Sequence, residues 1–204
     1  PVVAGLSHAI TGRGLDRGFL DAAIAARERE LEEGPPTTFM DFERHLAATN
    51  GGIARAAVTM LGADDAKVLS IADRLGVSLG WLEKLRWFGD GGRELPLWLP
   101  KTLLHEHGLA DVDPVGQEPD QRQGGGEVWS SKIDGLQNQL AALAREQLGK
   151  ARSEQSLISR HLLCAFFPGT LADVRLRDLG RSEAHPAIAT APYRLCWYWL
   201  RGRF

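Results

Sequence analysis

The sequence is poor in cysteine and methionine, with two of each, and it holds no surplus of either charge: 24 basic residues face 26 acidic ones. It also has no stretch of 18 consecutive apolar residues and no segment of convincing strand period. Each lack excludes something. Two cysteines at positions 164 and 196 make neither a disulfide framework nor a zinc site. They fall inside apolar helical runs, where a free cysteine is expected to behave as a small buried hydrophobe. Interspersed charges, a formal net of -2 and a pI near 6.4 leave no electrostatic footprint for nucleic acid. Without an apolar span there is no membrane-crossing helix to assign, and Pro1-Val2-Val3-Ala4 lacks the basic then apolar pattern of a signal peptide. A reducing setting, cytoplasm or organelle matrix, is expected, with peripheral membrane contact as the one membrane role left open. The absence of an initiator Met suggests that natural sequence precedes Pro1.

What remains is 44% hydrophobic residues arranged with helical spacing, enough for one medium domain with a substantial core. Residues 2 to 13 and 17 to 33 read as two helices. In the second, Phe19, Leu20, Ala23, Ile24, Ala26 and Leu31 trace an apolar stripe beside the charged run Arg27 to Glu30. Gly34-Pro35-Pro36 stops it, because proline cannot continue a helix and disfavours helical geometry in the residue before it. Thr38 and Asp41 have the spacing of a capping box and open a helix to about Leu61, with Phe42, Leu46 and Ile53 directed at a core. Asn50-Gly51-Gly52 falls in its middle. Two glycines there cost about 1 kcal/mol each relative to alanine, so they require a reason: close helix packing or room for a ligand.

Gly62-Ala63-Asp64-Asp65 is a break and a new cap. The next helix runs from about Ala66 to Trp87, with Val68, Ile71, Ala72, Leu75, Leu79, Leu82 and Leu85 on its buried side. An irregular segment leads to Pro100 and a short helix from Lys101 to His107. Residues 111 to 127, rich in Pro, Gly, Gln and Asp, read as a mobile surface loop. Helices resume over about 130 to 149 and 153 to 167, then through Arg177 and from 191 to 201. His105 and His107, two apart, do not reproduce the i, i+4 geometry of a helical zinc site and take structural or surface roles. Trp197, Tyr198 and Trp199 with Arg194, Arg201 and Arg203 make an aromatic, basic end that reads as core packing ahead of a membrane-interface anchor.

The order of these pieces resembles the squalene/phytoene synthase family over nearly the whole chain. Asp21 to Leu31, Pro35-Pro36-Thr37-Thr38 and Thr49-Asn50-Gly51-Gly52 are similar to the family's charged helix, threonine-started helix and Thr-Ala-Gly element. His45 stands where family members often have a tyrosine, six residues before the glycine. Leu85 to Pro100 matches in length a block that in active members begins Leu-Arg-Asp, contains Glu-Asp and ends Gly-Arg-x-Tyr-Leu-Pro. Arg86, Leu99 and Pro100 agree with it, and Trp98 replaces the tyrosine. The two aspartates fall on Trp87 and Gly91, the Gly-Arg pair on Leu95-Pro96, and an asparagine three residues before Arg86 on Glu83. Arg160 to Leu179, His185-Pro186 and the terminal aromatic helix are compatible with the family.

The resemblance implies an all-α isoprenoid-synthase-like helical bundle, with the family's N-terminal helices and first aspartate-rich motif expected upstream of Pro1. It also implies the site positions Arg86, Asp90, His45 and Gly51 for substrate. In active members magnesium ions bridge the aspartates to diphosphate; a tryptophan and a glycine cannot replace them. Asp90, Glu83 and Glu94 are isolated acids of the kind usually solvated, so no metal ligands are assigned. A branch that is similar to the mitochondrial respiratory complex I assembly factor also lacks these acids. The expected role is therefore non-catalytic: binding a prenyl diphosphate or other lipid, or engaging a respiratory-complex assembly partner, without a cofactor. The alternative is an active head-to-head prenyltransferase using prenyl diphosphates and Mg2+.

Overall fold

The structure, a computed structural model, describes residues 2–13, 15–34, 36–86, 99–109, 126–178, 201 and 204. Among them every regular element is helical. Helix α1 spans Val2–Arg13, α2 Arg17–Glu33, α3 Phe39–Leu46, α4 Gly52–Met60, α5 Ala66–Arg86, α6 Lys101–Glu106, α7 Gly126–Ser153 and α8 Leu163–Asp178. Between α3 and α4 lies a π-helical turn, Ala47–Gly51, and between α7 and α8 two short 3-10 turns, Gln155–Leu157 and Arg160–Leu162. None of the described helices is long and apolar enough to cross a membrane.

The helix starts follow from capping chemistry. Asp16 accepts from the Gly18 N–H at 2.8 Å, and Asp65 from the Lys67 N–H at 2.7 Å, each satisfying a donor left free in a first turn. Thr38 accepts from the Asp41 N–H at 3.1 Å, as expected, while its own hydroxyl donates to the Asp41 carboxylate at 2.6 Å. Aspartate thus meets the capping hydroxyl where the longer glutamate would reach back to the backbone. The N–H groups of Lys101 and Thr102 donate to the carbonyls of Pro36 and Thr37 at 3.3 and 3.2 Å, tying the start of α6 to the entry of α3.

Helix α5 is the centre of the bundle, packed between α7 and α8 on one flank and α3, the π turn and α4 on the other, with α2 laid on the π turn and α4. Val68, Ile71, Ala72, Leu75, Leu82 and Leu85 are buried as their spacing predicts, and Leu79 is half-buried. Against α5, α7 presents Leu136, Leu140, Ala144, Leu148 and Ala151, all buried at helical spacing.

Four expectations are corrected. The helix expected from Thr38 to Leu61 is interrupted by the π turn, and Ile53 is 60% exposed rather than in the core. In an unbroken α-helix Leu46 and Ile53, seven apart, would share a face. The wider π turn rotates α4 relative to α3 by on the order of a quarter turn, so that Gly52, Ala56 and Val58 face inward instead. The segment from 153 to 167 is not one helix: Ser153 closes α7 by donating to the Lys150 carbonyl at 2.8 Å, the two 3-10 turns come next, and α8 begins at Leu163. Gly126 and Glu127, assigned to the loop, open α7. Cys164, in the first turn of α8, is exposed rather than buried. The rest of the expected loop up to residue 125, the irregular segment from Trp87 to Trp98, Cys196 and the helix from 191 up to residue 200 lie outside the described residues.

Candidate functional site

At the π turn two backbones meet. A Cβ on Gly76 of α5 would overlap the Asn50 carbonyl and the Gly51 Cα, one on Gly51 would strike the Asp73 carboxylate, and one on Gly80 would press into Leu46 and the Asn50 side chain. Glycine at 51, 76 and 80 therefore allows α5 to lie directly on the turn. Gly51, one of the four positions implied by the resemblance, is buried in this seam, and close packing is the reason its glycine is needed. Arg55 fastens the same seam. Its guanidinium pairs with Asp73, donates to the Ala47 carbonyl at 3.3 Å, and lies 5.2 Å over the Phe19 ring of α2. Burial raises the Asp73 pKa in spite of that partner.

Two concavities open beside the seam. The first is a groove of about 440 Å³ between α2, the π turn and α5. Ala23, Ile24, Leu31 and Ile53 give it apolar walls, Arg27 and Glu28 lie on the α2 side, and Thr49, Asn50 and Glu83 complete it. Ile24, Leu31 and Ile53 are 57%, 82% and 60% exposed, a degree of apolar exposure that marks a contact surface when contiguous. Asn50 Nδ2 donates to Glu83 Oε2 at 3.4 Å, while Asn50 Oδ1 is 3.1 Å from the Thr49 hydroxyl.

The second concavity, of about 400 Å³, lies between the end of α2 and α3 and is polar, with Arg29, Glu30, Glu33, Asp41, Arg44 and His45 in its lining. Here His45 is half-buried, stacked at 17° on Phe42, with Nε2 3.5 Å from Glu30 Oε2. Burial pushes the imidazole pKa below its ordinary 6.5, opposed by the Glu30 charge. Glu30 also accepts from Arg27 at 2.6 Å. Lys84, 7% exposed, places its ammonium 5.9 Å from the Phe42 ring centroid. Among the described residues it forms no ion pair within 4.0 Å, and burial lowers its pKa against the pull of Glu30 and Glu83.

Of the four sequence-derived positions, the two whose surroundings the structure describes, His45 and Gly51, lie apart. His45 lines the polar concavity, Gly51 is in the helix seam, Arg86 ends α5, and Asp90 lies outside the described residues together with Trp87, Gly91 and Glu94. The groove itself rests on Asn50 and Glu83, which sequence reasoning treats as a helix interruption and an isolated acid. Among the described residues no three His, Cys, Asp or Glu side chains gather as metal ligands. His105 is exposed and His107 bonds Gln139 of α7, in keeping with structural and surface roles.

A sequence model of one family, squalene/phytoene synthase, matches residues 1–200. No curated protein matches the chain.

Proposed function

Because the chain belongs to the squalene/phytoene synthase family, a family of prenyltransferase type with an all-α fold, we propose that it is a non-catalytic member that holds an isoprenoid or another lipid. In this role the helical shell is kept and the metal-dependent chemistry is not. Complex assembly is a use to which such a lipid-holding module is suited, through the same exposed apolar walls.

The observation that carries the proposal is the make-up of the groove. Ionising an allylic diphosphate requires cations facing the departing charge. The groove offers the reverse: apolar walls at Ile24, Leu31 and Ile53 with the Glu83 carboxylate beside the Asn50 amide. Arg27 is spent on Glu30, and Lys84 is buried beside Phe42. Magnesium fits these donors poorly: Glu28 on α2 and Glu83 on α5 are the acids of the lining, Glu83 is hydrogen-bonded to Asn50, and no third His, Cys, Asp or Glu gathers with them among the described residues. The replacement of both internal aspartates, by Trp87 and Gly91, points the same way. A volume of about 440 Å³ lies within the range of small-ligand sites, about 300–1,000 Å³.

The test uses the full-length protein with farnesyl or geranylgeranyl diphosphate and magnesium. No pyrophosphate is released, magnesium brings no added thermal stabilisation, and an environment-sensitive apolar dye is displaced by a prenyl lipid. Magnesium-dependent release of pyrophosphate would establish the head-to-head prenyltransferase instead.

A further inference from the structure

Where α5 meets the π turn, the polar groups of the groove are mainly hydrogen-bond acceptors. Glu83 is exposed on α5 and receives a single long bond, 3.4 Å from Asn50 Nδ2, at one of its two oxygens. The Asn50 carbonyl oxygen is the other acceptor; the Thr49 hydroxyl beside it has one proton to share between that oxygen, at 3.1 Å, and the His45 carbonyl, at 2.8 Å. On the opposite wall Arg27 is the one cation of the lining among the described residues. It faces Glu30 at 2.6 Å, and Glu28 stands next to it in the same lining. A ligand in the groove therefore meets carboxylates at Glu28 and Glu83 and one guanidinium already neutralised by a third.

Resting on the lipid-holding reading above, we infer that the natural ligand of this groove is an apolar chain whose polar end donates hydrogen bonds, an alcohol or an amine, and that a diphosphate end is rejected. A hydroxyl or ammonium placed at the floor gains Glu83 as acceptor and leaves the chain along Ile24, Leu31 and Ile53. A diphosphate at the same place would bring several negative charges against Glu83 and Glu28, with Arg27, already paired to Glu30, the one cation among the described residues of the lining, and like charges repel. The selectivity is thus set by what the floor repels as much as by what it binds.

The experiment is calorimetric titration of the full-length protein with farnesol, farnesylamine and farnesyl diphosphate, each below its aggregation concentration, the last with and without magnesium. Farnesol and farnesylamine bind at least about tenfold more tightly than the diphosphate. Glu83→Gln, an exposed substitution that leaves the fold intact by circular dichroism, weakens farnesylamine about tenfold and narrows the gap to the diphosphate. Leu31→Ser, also exposed, weakens all three and locates them in the groove. Tightest binding of the diphosphate, or an unchanged ranking in Glu83→Gln, overturns the inference while leaving the lipid-holding function standing. Insensitivity to Leu31→Ser places the ligands elsewhere and overturns it as well. Binding of none of the three removes the lipid-holding function and this inference together.

Discussion

Helix α5 makes two kinds of contact on its two flanks. Toward α7 it meets a row of leucines and alanines, and the polar exception, Ser78, is fully buried and donates to the Ala144 carbonyl at 2.8 Å. Toward the π turn it presents Asp73, Gly76, Gly80 and Lys84: two glycines, a paired acid and a lysine without an ion pair among the described residues. The first seam is held by burial of apolar area, which tolerates change of shape if volume is kept. The second is held by backbone proximity and charge compensation, which tolerate neither. A helix can therefore be conventional on one side and specialised on the other, and the groove opens on the specialised side.

That contrast can be broken most forcefully at Gly76. Gly76→Leu drives a side chain into the Asn50 backbone and should cost about 3 kcal/mol or more, read as a lowered urea midpoint or loss of cooperative unfolding. On the other flank Leu140→Ala, at a fully buried position, should cost about 3 kcal/mol, whereas Leu140→Met should cost less than about 1.5. Equal tolerance of Gly76→Leu and Leu140→Met would remove the distinction between the seams.

A smaller effect of opposite sign is expected at Lys84. The residue is 7% exposed and forms no ion pair among the described residues, so Lys84→Met should stabilise the protein by on the order of 1 kcal/mol, about 3 °C in thermal unfolding for a chain of this length. A loss of stability would mean that the charge, not the stem, holds Phe42 in place. The smallest expected effect is at His45. Its folded pKa lies below the unfolded value of 6.5, so below that pH the unfolded state binds more protons and stability falls as the pH drops toward the folded pKa. His45→Gln should flatten the stability difference between about pH 7 and about pH 5.5, a slope measured by denaturant titration at each pH.

Much of the apolar flank is legible in the sequence. The spacing of Val68 through Leu85 identifies its own buried face, and Thr38, Asp65 and the Gly34-Pro35-Pro36 break mark where helices begin and end, because those signals are local. The specialised flank is legible only in part. Asn50-Gly51-Gly52 announces a need for close packing, and its partner glycines at 76 and 80, four apart on α5, carry the complementary signal. That second signal is hard to see because isolated glycines inside an apolar helix look like defects until the facing backbone is known. Ile53 is misplaced by its spacing because helical periodicity presumes a constant turn. Asn50, in the element that is similar to the family's Thr-Ala-Gly, and Glu83, which departs from the family pattern, are 33 residues apart, and the hydrogen bond between them joins two positions that sequence alone presents as unrelated.

The π turn also has a developmental meaning for the groove. Its wall at Ile53 faces outward because five residues, Ala47 to Gly51, complete a turn that an α-helix would close sooner. The recess is thus written in the number of peptide units and not in the chemistry of any wall residue. Losing one unit from this turn would swing Ile53 inward and fill the space, whereas point changes along the wall retune what the recess accepts and leave it open. The lining of the recess can drift by substitution, while the recess itself comes and goes by single insertions or deletions.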